Sequence, residues 1–265
     1  MTGNNIERVA VMVDGGFYLK RYRSLFSRCP DFLAHDFVQA AAIFQKLTNA
    51  HIQIRRDERL YRIFYYDCPP FQKKIHNPLS KRFIDFSKST TAQFRNGFLE
   101  QLKKQRKVAL RLGAVKDNDT WVIKPARTKD LLAGRIRLED LSEDDISFDI
   151  KQKGVDMRIG LDISALSYKR LVDRIVLIAG DSDFVPAAKV ARREGIDFIL
   201  DPMWNPIGDD LFEHIDGLFS TAPRPKNPIS SIEAFLDVKR AAMDDGVVKQ
   251  LVDADELTPG KEDHA

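Results

Sequence analysis

IVLIAGDSDFVPAAKVARREG, residues 175–195, is the stretch whose reading decides the fold. Five apolar residues, 175–179, stop at Gly180 and give way at once to Asp181, Ser182 and Asp183. A continuous apolar run of that length, without alternation, is the mark of a strand buried on both faces, and a helical pattern follows it. Lys, Ser or Asn would satisfy water at the end of such a strand. Two carboxylates one residue apart call for another explanation.

The same design appears at the start of the chain. RVAVMVDGG, residues 8–16, carries an apolar run over 9–13, then Asp14 and two glycines, and FYLKRYRSLF after it opens a helix. A second helix is expected over about 35–50, and LYRIFYYD (60–67), rich in aromatic residues, reads as a strand. CPPFQKKIHNP (68–78) is expected to be a loop, residues 80–106 a basic helix, and VALRLGAV with TWVIK a hairpin about KDND. RTKDLLAGRIRLEDLSEDD reads as irregular or a short helix. ISFDIK (146–151) alternates and reads as a strand leading into QKGVDMRIGLDISALSYKRL, where Val155, Ile159, Ile163 and Leu166 keep helical spacing. IDFIL (196–200) is the last strand expected. DPMWNPIGDDLFEHIDGLFS holds a short helix and a turn, APRPKNP is a linker, and an acidic helical tail follows. Alternating β and α elements of this kind predict an α/β fold with a mostly parallel central sheet between helical layers. Ligands in such sheets bind beyond the carboxyl ends of the strands.

Composition narrows the chemistry. The 265 residues are 43% hydrophobic and 31% charged, with formal net charge +3. Cys29 and Cys68 are the only cysteines, which argues against a disulfide scaffold or a zinc–thiolate site and fits a reducing, cytoplasmic setting. The five histidines have no ligand-like spacing. No signal peptide, membrane span or membrane partner is expected. Charge is uneven: residues 71–137 hold 17 Lys or Arg against 5 Asp or Glu, and residues 229–265 hold 4 against 9. A basic middle fits either a surface that meets a polyanion or a solvated helix.

Three elements end in acid or lead straight to it. Asp14 and the pair Asp181 and Asp183 follow strands, and Asp156 opens the helix after ISFDIK. Parallel adjacent strands would bring all four to one sheet edge, where they repel unless a cation lies among them. Oxygen donors alone favour Mg²⁺ or Mn²⁺. Each acid also has a structural reading: Asp183 or Ser182 as a helix cap, Asp14 as turn chemistry, Asp156 as a complement to a helix dipole. Asp162 lies about 240° round the helix from Asp156, so only one of the two can face the cluster. Asp156 is the preferred member and Asp162 the alternative. Gly160 leaves the Asp156 face open, and Lys153 could meet a phosphate or neutralise the acids.

VDGG after an apolar strand, KGVDMRIGLDI opening a helix, and LIAGDSDFVPAAKVARREG resemble the NYN domain, a PIN-like nuclease family that includes LabA-like bacterial proteins. The likeness spans about residues 6–222, with about 70–140 as a basic insertion and 223–265 as linker and acidic helical tail. It implies a three-layer α/β/α fold and a Mg²⁺- or Mn²⁺-dependent acidic site, and several such domains cleave RNA. Carried over by position, Asp14, Asp156, Asp181 and Asp183 match the acidic motif. The family pattern places Asn three residues after the first Asp, where this chain has Phe17.

The leading expectation is thus a metal-dependent ribonuclease with RNA as partner. Lys103, Lys104, Arg106 and Lys107 are candidates to grip the backbone, with Arg192 and Arg193 as a fallback, and Phe83, Phe86, Phe94 and Phe98 could stack bases or fill the core. A non-catalytic RNA-binding or regulatory protein is the alternative, a nucleotide phosphatase a third reading, and a homo-oligomer stays open.

Overall fold

The computed structural model describes residues 6–52, 57–226 and 229–237. Most of the acidic tail expected after residue 229 lies outside the described residues.

Six parallel strands form the central sheet: β1 (Glu7–Asp14), β2 (Glu58–Asp67), β5 (Val108–Leu112), β8 (Arg174–Ile178), β9 (Asp197–Asp201) and β10 (Gly217–Leu218), in the order β10-β9-β8-β1-β2-β5. Continuous apolar runs become central strands because both faces are covered. Val9, Val11 and Val13 pack toward α1 (Gly15–Phe26), α2 (Phe37–Ala50), α3 (Thr90–Lys104) and α8 (Ile232–Asp237). Ala10 and Met12 pack toward α5 (Val155–Tyr168) and α6 (Val185–Arg193). All five side chains are fully buried. The result is three layers, α/β/α. Chain order runs outward from β1 to β2 and β5 on one side, and from β8 to β9 and β10 on the other. The reversal falls between β1 and β8, where a doubly wound sheet opens a crevice at its carboxyl edge.

Several expectations change. VALRLGAV and TWVIK do not form a hairpin: VALRL is the edge strand β5, and β6 (Ala114–Ile123) pairs antiparallel with β7 (Ile146–Lys153) in a separate arm. ISFDIK therefore lies in this arm and not in the main sheet. Its alternation reflects the arm's one-sided burial: Ile146 and Phe148 are buried, while Ile150 is exposed. The helix expected over 80–106 is confined to Thr90–Lys104, preceded by a small hairpin of β3 (Lys74–His76) and β4 (Phe83–Asp85) within the expected loop and helix. In the arm, α4 (Pro125–Leu132) links β6 toward β7, and α7 (Asp209–Glu213) precedes β10, a sixth strand beyond the one expected to be last. Phe71, Phe86, Phe148 and Trp121 pack ring to ring where the arm meets the β3–β4 hairpin.

Candidate active site

The acids lie around the reversal point, at the carboxyl edge of the sheet. Asp14 ends β1, Asp181 follows β8 by two residues beyond Ala179, and β1 and β8 are paired neighbours. Asp156 reaches the same edge by a different route from the one expected: β7 returns the arm to the sheet, and Gly154 at φ 79° turns the chain into α5. Few residues other than glycine hold that left-handed conformation without strain.

The structural and functional readings of Asp14 turn out to be compatible. Its Oδ1 caps α1 by accepting the Phe17 N–H at 3.1 Å. Burial pushes its carboxyl up to about 6, and the nearby charges of Asp156 and Asp67 add to the rise against the pull of the Phe17 and Gly16 N–H groups. Asp156 is raised by burial first, then by Asp181 and Asp183. Asp156 is thus the member whose charge is felt by Asp14 on one side and meets Asp181 and Asp183 on the other. Asp181, not Asp183 or Ser182, provides the cap here: its Oδ1 accepts the Asp183 N–H at 3.0 Å in the 3-10 turn Ser182–Phe184. The Ser182 hydroxyl donates to Asp210 Oδ1 at 2.8 Å, tying the acidic turn to α7.

Phe17, at the position where the resembling family has Asn, packs against the acidic turn. A Cβ on Gly180 would come within 2.6 Å of the Phe17 ring, so the acidic turn packs directly against that ring only because residue 180 has no side chain. Asp162 is committed elsewhere. Its Oδ2 accepts the Tyr66 hydroxyl at 2.9 Å and pairs with Arg111 Nε at 3.0 Å. Lys153 is exposed at the end of β7, and nothing crowds Gly160.

One acid beside the site has no place in the expected set. Asp67 ends β2 next to Asp14, is 2% exposed, and accepts from the Tyr65 hydroxyl, the Cys68 N–H and Arg95. LYRIFYYD closes in acid just as the other two strands do, so the signal was present. The Arg95 partnership, from α3, had none.

The expected binding cluster lies elsewhere. Lys103 and Lys104 end α3, and Arg106 and Lys107 precede β5, at the amino edge of the sheet. The acids occupy the carboxyl edge, about 15 Å away along a five-residue strand. Lys103 pairs with Glu100, and Lys107 donates to the Leu60 carbonyl. Burial lowers the Lys107 ammonium, helped by Arg59, Arg106 and Arg62. Arg192 pairs with Asp216 at 2.8 Å. Phe94 and Phe98 are core, Phe83 is exposed, and Phe86 belongs to the ring cluster of the arm.

The donors at the acidic edge are all hard oxygens, which suits a divalent cation of the Mg²⁺ class, and the raised Asp14 and Asp156 mark a place that favours positive charge. Among the described residues, no group of three or more His, Cys, Asp or Glu is gathered so that it could hold a metal ion. The chemistry of the set fits a cation, and binding one would require the carboxylates to close in. Also among the described residues, no helix is long and apolar enough to cross a membrane.

A structure of a protein of unknown function from Vibrio parahaemolyticus is similar to this chain at a TM-score of 0.40 and 14% identity, covering 82% of this chain and 94% of that one. No curated protein matches the sequence. The NYN domain model matches residues 83–203, a span that begins after Asp14 and includes Asp156, Asp162, Asp181 and Asp183. Residues 83–203 thus match the NYN domain, the family that the KGVDMRIGLDI and GDSDF motifs resemble.

Proposed function

We propose that the protein is a metal-dependent ribonuclease that hydrolyses phosphodiester bonds at the carboxyl edge of its sheet. The observation that carries this reading is the placement of Asp14, Asp156, Asp181 and Asp183 around the β1/β8 reversal, where burial first, and then the charges of neighbouring acids, raise two of the four. The NYN match covers the segment holding three of them, and it supports membership of a PIN-like nuclease superfamily.

Asp14 and Asp181 would be the principal ligands of Mg²⁺ or Mn²⁺, with Asp156 and Asp183 completing the set directly or through water. A bound divalent ion supplies positive charge for the phosphoryl oxygens and lowers the pKa of a water molecule. The chain's own contribution is placement. The cap bonds from Phe17 and Asp183 N–H groups orient Asp14 and Asp181 and leave each carboxylate with oxygen lone pairs for the site. The Phe17 ring packs against Gly180 and so holds the acidic turn beside the end of β1. Asp67 lies beside Asp14 and pairs with Arg95. Covalent catalysis has no support in the cluster, which contains no paired nucleophile and base.

One observation favours the alternative of a non-catalytic RNA-binding or regulatory protein: the acids among the described residues are not gathered as a ready ligand cage. The two readings separate in one assay. Labelled RNA and DNA are incubated with the purified protein in Mg²⁺, Mn²⁺ or EDTA. Metal-dependent loss of RNA supports the nuclease, and intact RNA in every condition alongside measurable binding supports the alternative.

A further inference from the structure

Away from the acids, a cleft of about 180 Å³ opens between α1 and the segment after β10, lined by Arg21, Ser24, Arg28 and Arg224 beside Leu25 and Ile229. None of the described residues that line it is Asp or Glu. Three guanidinium groups therefore share one small concavity without an acidic neighbour among the described residues of its wall.

Two of them are held in place by an unusual piece of backbone. Arg21 donates from Nε and Nη2 to the Met203 carbonyl at 3.0 and 2.7 Å, so it is oriented without being neutralised. The Arg224 guanidinium lies 5.0 Å from the centre of the Trp204 ring. Met203 and Trp204 are consecutive non-glycine residues at φ 46° and 63°, a costly conformation that persists only where the surroundings impose it. Here the surroundings do. Asp201, at the end of β9, accepts the Met203 N–H at 2.7 Å and pairs with His51 at 2.9 Å, both acid and imidazole being 1% exposed. The Trp204 indole N–H donates to the Ala222 carbonyl at 2.8 Å. A buried Asp201–His51 contact thus fixes a strained turn, and the turn presents one carbonyl and one ring that hold two arginines at the cleft.

We propose that this cleft binds a phosphate group of an RNA strand whose neighbouring segment lies at the acidic edge. Several arginines converging on a small site match the tetrahedral array of acceptor oxygens on phosphate better than a planar carboxylate. The volume suits one phosphoryl group and falls short of the cavities that enclose drug-sized molecules. Position supplies the strand. Helix α1 starts immediately after Asp14; at 1.5 Å per residue Arg21 stands about 10 Å along it, and Arg28 follows its C-terminal end two residues after Phe26. A strand leaving the acids along α1 passes over the cleft. The assignment rests on RNA as the partner of the acidic edge but does not need turnover there.

The test is RNA binding by the full chain in EDTA, read as fluorescence anisotropy of a labelled single strand across a salt series. Arg28 and Arg224 are exposed, so Arg28→Ala with Arg224→Ala spares the core. The double variant should bind about tenfold more weakly, and its log–log salt slope should fall by about 0.7 for each phosphate left without its arginine. In a second arm, Trp204 fluorescence in a Trp121→Phe background reports occupancy by inorganic phosphate alone. Unchanged affinity and slope in the double variant overturn the proposal. If Trp204 then responds to inorganic phosphate, the cleft is a receptor for the free anion instead. Arginine-dependent binding without cleavage of any RNA would sink the nuclease reading and leave this one standing, whereas cleavage with arginine-independent binding would do the reverse.

Discussion

Replacing Asp14 with Asn separates the charge of this residue from its role as a cap. Its carboxyl is raised from 3.8 to about 6 in the folded chain, chiefly by burial. Because the folded pKa lies above the unfolded one, the charged form costs native stability at pH above both values. That cost disappears below the unfolded pKa, where both states are protonated. A shift of about two units at 1.36 kcal/mol per unit amounts to about 3 kcal/mol above pH ~6.5. Asn keeps an oxygen for the Phe17 N–H and is as good an N-cap as Asp, so little is lost in exchange. In EDTA, Asp14→Asn should therefore raise Tm by roughly 6–12 °C near neutral pH and by almost nothing near pH ~4. Thermal melts followed by circular dichroism over a pH series measure this directly. A Tm difference that is the same at every pH, or a loss of stability at neutral pH, would refute the reasoning, because the carboxylate would then act only as a cap or as an unburied charge.

The remaining expectations follow from the same geometry. Asp156→Ala should lose most RNA cleavage and Asp162→Ala clearly less, since Asp162 is occupied by Tyr66 and Arg111; single-turnover rates that rank the other way would place α5 in another register. Gly15→Ala would put a Cβ 2.5 Å from the Tyr65 hydroxyl and 2.7 Å from the Tyr66 carbonyl, so urea denaturation should show a loss of about 1–3 kcal/mol, and an unchanged midpoint would contradict that packing. Neutralising Lys103, Lys104, Arg106 and Lys107 together should lower the salt slope of RNA binding by about 0.7 per phosphate released, and only for strands long enough to reach the amino edge; no change with long RNA removes that cluster from the binding surface.

The parts of the molecule that were legible in the sequence are those where burial leaves a one-dimensional trace. VAVMV and IVLIA are apolar without interruption because helices cover both faces, and Asp14 and Asp181 follow because a parallel sheet opens its crevice at that end. ISFDIK carried its own warning: alternation marks one buried face, which is what an antiparallel arm has and a central strand lacks. VALRL and the two-residue β10 were obscured for a different reason. Edge strands are short and partly exposed, so Arg111 within β5 breaks the apolar run. Asp67 could have been found by the rule that found Asp14. The basic cluster at 103–107 could not have been located by counting charges, since composition does not reveal which end of a parallel strand a residue precedes. Arg21 and Arg224 meet across about two hundred residues through a turn whose backbone conformation no local signal announces.

The central claim is that the acids at the β1/β8 reversal cleave RNA with a divalent ion. Single-turnover cleavage of a labelled RNA by wild-type protein and Asp181→Asn, each freed of metal and then supplied with Mn²⁺, tests it most directly. Asn still accepts the Asp183 N–H, so the turn should keep its shape while the charge is removed. The account predicts a Mn²⁺-dependent rate for the wild type, abolished by EDTA, and a loss of at least about a hundredfold in the variant, in line with several kcal/mol of charge stabilisation from the ion. Equal rates for the two proteins, or cleavage that persists in EDTA, would contradict it.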